Sequence, residues 1–145
     1  MALLESWFER HETTITSVLT LGMALGVYSL GLRVLVNYPL QNAALLPRSA
    51  VEEVVREEKV RLSLDKTVVV KVVDDAADRG SSRRIGENSY EITLDARALS
   101  KPLIRHELYH VAAGHCDHES NPLLYWFYQE PAAGLYVLRS LKMEH

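Results

Sequence analysis

Residues 106–110 read His-Glu-Leu-Tyr-His, and no other stretch constrains the fold of this chain as tightly. On a helix, His106 and His110 stand one turn apart on the same face. Two imidazoles so placed can bind one Zn²⁺, with Glu107 beside them to take the proton of a metal-activated water. The pattern therefore needs a helix, and the flanking residues supply one. Leu99, Leu103, Ile104, Leu108 and Val111 recur at spacings of three to five, which suits an amphipathic helix. Ser100 can cap its start, and Pro102 is tolerated in the first turn, where its missing N–H would be unpaired anyway. Gly114 provides a stop. The expected helix spans 100–113.

A catalytic zinc usually takes three protein ligands and leaves one position for water. His115, Asp117 and His118 follow the helix closely, and Glu130 comes later, in Tyr-Trp-Phe-Tyr-Gln-Glu-Pro-Ala-Ala-Gly-Leu-Tyr. His106-Glu107-x-x-His110, then nineteen residues, then Glu130, resembles the gluzincin metallopeptidases. In that clan a glutamate from the following helix completes the metal site. The resemblance therefore implies His106, His110 and Glu130 as ligands and Glu107 as the general base. A domain of this size is similar to the minigluzincins, small prokaryotic proteins that hold only the core of the fold. The architecture implied is α+β: a small zincin-like domain with an N-terminal helix, a short and mostly antiparallel sheet, the zinc-binding helix and a glutamate helix. The sequence runs in that order over its last two thirds. Pro131 follows Glu130 directly and disfavours helical geometry in the residue before it. Two geometries stay open. A helix starts near Pro122, capped by Asn121, and bends at Pro131; alternatively, a second helix starts at Pro131 with Glu130 at its beginning.

Upstream, 67–73 reads Thr-Val-Val-Val-Lys-Val-Val, a β-branched run expected to be a strand. Residues 89–94 alternate Tyr90, Ile92 and Leu94 with polar neighbours, as in a strand with one buried face. The segment 78–84, Asp-Arg-Gly-Ser-Ser-Arg-Arg, reads as a polar turn. Residues 51–62 carry apolar side chains at 51, 54, 55 and 60 and suit a helix packed on the sheet. In gluzincins the strand ahead of the zinc helix borders the cleft and pairs with substrate. By resemblance, Ser89, Tyr90, Glu91, Ile92, Thr93 and Leu94 take that role toward a peptide or protein substrate.

The N-terminal part differs in character. Residues 13–32 contain no charge, and 34–36 extend the apolar run past Arg33. Twenty helical residues rise about 30 Å, enough to cross a bilayer core. Glu5, Glu9 and Glu12 precede the run, so it lacks the basic start of a cleaved secretory signal. The expected organisation is a tail over 1–12, one transmembrane helix over 13–36, a linker over 37–49 and a metallopeptidase domain over 50–145. Gly22 and Gly26 form a Gly-x-x-x-Gly step that lets two such helices approach as a homodimer. Arg33, Arg48, Arg56, Lys59 and Arg61 follow the run and only Arg10 precedes it, which places the catalytic part in the cytoplasm by the positive-inside rule.

A single cysteine, Cys116, excludes an internal disulfide. A net charge of −3 leaves no electrostatic footprint for nucleic acid. The reading is a membrane-anchored zinc metallopeptidase that hydrolyses peptide bonds, with Zn²⁺ as cofactor. Its rival is a latent or non-hydrolytic zinc-binding scaffold or sensor at the membrane, its cleft covered by the chain end at 142–145.

Overall fold

The β-branched run forms strand β1, Thr67–Val73, where branched side chains pack well on a pleated surface. The segment expected as a polar turn forms strand β2, Gly80–Gly86. A two-residue loop, Glu87-Asn88, leads into β3, Ser89–Asp95. The sheet order is β1-β3-β2. β3 runs parallel to β1, with Thr67 opposite Ser89, and antiparallel to β2, with Arg83 opposite Glu91. The sheet is therefore mixed and not mostly antiparallel. The chain leaves β1, skips one strand position to form β2, and fills the gap with β3. Serines, arginines and glycines make β2 a poor strand by propensity, but pairing with β3 decides its state, and its outer edge faces solvent.

This topology corrects one expectation about substrate. β3 is hydrogen-bonded along both edges, so Ser89 to Leu94 have no free backbone edge for a peptide. Tyr90, Ile92 and Leu94 are core residues. Glu91 points the other way, where it is paired with Lys71 of β1 and Arg83 of β2.

The coordinates are a computed structural model in which residues 14, 16–28, 30, 31, 34, 40–117 and 121–143 are described. They divide into two units, Met1–Val34 and Leu35–His145. In the first unit, residues 16–28 are helical and Val18, Leu19, Leu21, Met23, Leu25 and Val27 are exposed. Among the described residues no helix is long and apolar enough to cross a membrane. The span expected over 13–36 is described only in part, and the tail 1–12 lies outside the described residues.

In the second unit, a 3₁₀ turn at Arg48–Ala50 leads into helix α1, Val51–Arg61. Val51, Val54 and Val55 are buried with Leu64 and the inward face of β3. Helix α2, Lys101–Ala112, follows β3. The Ser100 side chain accepts from the Leu103 N–H, Pro102 lies in the first turn, and Gly114, at φ 73°, follows the helix end. Leu103, Ile104, Leu108 and Val111 fill the core, each worth about 1.5–3 kcal/mol of burial. The segment expected as a linker joins the domain in its described part. Leu45 bridges Ser100, the Leu46 N–H donates to the Leu99 carbonyl at 2.8 Å, and Leu40 and Leu46 pack against the core.

The other side of α2 is buried too. Arg105, His106, Glu107 and His110 are all covered, because α2 packs against α1, β2 and the last helix. Arg105 Nε donates to Glu58 Oε1 of α1 at 2.7 Å, with both side chains fully buried. The last helix starts with a turn at Pro122–Leu124 capped by the Asn121 side chain, passes through a π turn at Tyr125–Gln129, and continues as α3, Glu130–Lys142.

Candidate metal centre

The histidine spacing and the α2 geometry bring His106 Nε2 and His110 Nε2 within 3.2 Å. Glu130 comes from α3, with Oε2 at 3.4 Å from His106 Nε2 and Oε1 at 3.3 Å from His110 Nε2. Ligand atoms about 2.0–2.1 Å from a tetrahedral ion lie about 3.3–3.4 Å from one another. The two imidazole nitrogens stand close to that edge, each has one oxygen of the Glu130 carboxylate at a similar distance, and the group can hold a metal ion. Both histidines are buried and Glu130 is half-buried, which leaves one side open.

Glu130 reaches this position through the π turn. A proline at 131 cannot donate the usual helical bond. The chain answers with a wider turn in which the Glu130 N–H donates to the Tyr125 carbonyl, while Glu130 keeps helical geometry at φ −61° and ψ −49°. The helix thus starts at Pro122 under the Asn121 cap and passes Pro131 without ending. The wider turn also puts Tyr125 beside Glu130, where its hydroxyl helps to lower the carboxyl and is itself raised, chiefly by burial and then by that carboxylate. Single π turns of this kind recur at functional sites.

Electrostatics set the protonation states. Burial works to raise the Glu130 carboxyl, but hydrogen bonds from both imidazoles and from Tyr125 outweigh it and hold the group well below the usual carboxylate range. Burial opposes charge on His106, yet its hydrogen bond to Glu130 and the nearby Glu107 raise it on balance. Glu107 itself is raised, chiefly by burial.

The other candidate ligands are placed elsewhere. Asp117 accepts from the Tyr90 hydroxyl and lies 3.5 Å from Lys66 Nζ. The Tyr90 bond lowers its pKa. His115 touches His110 from behind, Nδ1 to Nδ1 at 3.0 Å. It can fix the tautomer of that ring and so aim Nε2 at the ion, the role outer partners play at metal sites. His106 Nδ1 has no hydrogen-bond partner among the described residues. Cys116 Sγ donates to Ser82 Oγ at 3.4 Å. His118 lies outside the described residues.

A cleft of about 490 Å³ opens beside the centre, walled by β2 on one side and by Glu107, His110, Tyr125 and Gln129 on the other. The strand bordering it is β2, not β3. Its residues were missed in the sequence because they resemble a turn. The one local signal was the run Gly86-Glu87-Asn88 just ahead of a clear strand, which fits a short hairpin loop. Lys142 lines a separate groove with Tyr109 and Tyr136, and residues 144–145 lie outside the described residues. A larger hollow, about 700 Å³, lies between α1 and β1, away from the histidines. No protein-family model, no curated protein and no solved structure matches this chain.

Proposed function

We propose that this protein is a zinc-dependent metallopeptidase of the gluzincin type. The observation that carries the reading is the convergence of His106 and His110 Nε2, 3.2 Å apart, with the Glu130 carboxylate, whose Oε2 lies 3.4 Å from the first nitrogen and whose Oε1 lies 3.3 Å from the second. Two neutral imidazoles and a carboxylate suit zinc. When bound, the ion supplies Lewis acidity, polarising a scissile carbonyl and making a water molecule more acidic.

The chain's own groups do the rest. Glu107 is adjacent in sequence to His106 and lines the open cleft. Burial raises this carboxyl, which makes it a stronger base than a free carboxylate. Glu107 takes the proton of the attacking water on a carboxylate oxygen. It then delivers that proton to the nitrogen of the departing amine, so the C–N bond breaks as a neutral amine leaves. The open edge of β2, Gly80–Gly86, offers unpaired backbone groups to an extended peptide.

The test uses the full chain loaded with zinc, with dye-labelled casein as substrate. One zinc per chain is expected in wild type and in Glu107→Gln, with cleavage in wild type alone. A wild type that holds zinc and cuts nothing makes the protein a metal-binding scaffold. A wild type that holds no zinc removes the metal reading itself.

A further inference from the structure

We propose that Gly80 and Ser82 of the edge strand are positioning residues that hold the Glu107 carboxylate in place; the inference rests on Glu107 being the proton-transfer group. Two residues apart on β2, they share a face, and that face meets α2. Glu107 is buried, and a buried carboxylate is costly unless it is hydrogen-bonded. The Ser82 hydroxyl, on that face and in the same cleft as Glu107, is the group that can supply a bond, and it works against the effect of burial on the carboxyl. Its oxygen in turn accepts from Cys116 Sγ. With that thiol bond on its oxygen, the hydroxyl keeps its own hydrogen for Glu107.

Gly80 acts by leaving room. A Cβ at this position would lie 2.7 Å from Glu107 Oε1 and 3.0 Å from Leu103 Cδ1. The carboxylate therefore rests against bare backbone. Any larger residue must push it, because Leu103 blocks the alternative. Glu107 is thus held from two sides, by a hydrogen bond from Ser82 and by a wall at Gly80. Among the described residues no hydrogen bond or ion pair joins either residue to His106, His110 or Glu130, so substitutions here should leave metal binding intact.

The experiment combines two measurements on the full chain. The first is a urea-unfolding double-mutant cycle between Ser82→Ala and Glu107→Ala. Ser82→Ala should lower the folding constant at least about 5-fold more when Glu107 is present than when it is absent. Equal losses in the two backgrounds overturn the proposal, whatever the activity. The second is zinc affinity and cleavage of an internally quenched peptide taken from a casein cleavage site. Ser82→Ala and Gly80→Ala should keep zinc affinity and KM while kcat falls about 10- to 100-fold. Ser82→Thr, which keeps the hydroxyl, should recover most of that loss. A cleaving wild type whose kcat survives Ser82→Ala overturns the positioning role alone. A zinc-loaded wild type that cleaves no casein overturns the hydrolase reading, and this role with it.

Discussion

Tyr125 and Glu130, five residues apart, are joined across a single π turn by the Glu130 N–H, which donates to the Tyr125 carbonyl, and the Tyr125 side chain acts on the Glu130 carboxylate. In an ordinary helix residues three and four apart are the neighbours. The wider turn makes the fifth residue the neighbour and gives the Glu130 carboxylate a donor beside the two histidines.

That contact predicts the behaviour of Tyr125→Phe. Loss of the hydroxyl frees the carboxylate from one of its orienting bonds, and zinc affinity should fall about 10-fold. Competition against a chromophoric chelator measures it. An unchanged constant would mean that the two imidazoles alone position the carboxylate.

Glu130→Ala and Asp117→Asn should part company. The first removes the carboxylate from the group of His106, His110 and Glu130, so affinity should drop by at least ~10-fold. The second alters a carboxylate engaged with Tyr90 and Lys66, and affinity should hold. A reversed pattern in the same chelator titration would move the third ligand to Asp117.

The pair Arg105–Glu58 links α2 to α1 with both charges fully buried. Glu58→Ala removes a fully buried partner of the Arg105 guanidinium, which should cost about 3–5 kcal/mol in urea unfolding. Replacing both by apolar residues, as in Glu58→Leu with Arg105→Met, should recover much of that loss. A small effect of the single change would show that water reaches the pair.

Asp95 predicts a pH effect at the junction before α2. The Arg97 side chain, and then its backbone N–H, bond the Asp95 carboxylate and lower its pKa from 3.8 to about 2. A lowered folded-state pKa stabilises the fold above the unfolded value. The contribution is thus complete above about pH 4 and fades as pH falls toward about 2. Urea midpoints of wild type and Asp95→Asn, followed between pH 5 and pH 2, should converge at the acid end. A constant gap across that range would remove the linkage.

Much of the site was legible because it is local. The four-residue step between His106 and His110, the Ser100 cap, Pro102 in the first turn and Gly114 at the end are statements about one helix, and neighbouring residues carry them. Glu130 was singled out by resemblance, but its geometry was open because Pro131 admits two backbones. A π turn, which neither geometry included, resolved them. The β-branched run of β1 and the alternation of β3 were equally local signals.

The sequence by itself determined that a helix presents two imidazoles and a glutamate on successive turns, with two strands before it, because side-chain periodicity and capping act within a few residues. Only the tertiary structure decided that β2 is a strand, that β3 lies between its neighbours with no free edge, and that Gly80 and Ser82 enclose Glu107. Those outcomes depend on pairing between segments distant along the chain, where the energy comes from partners that no local pattern names.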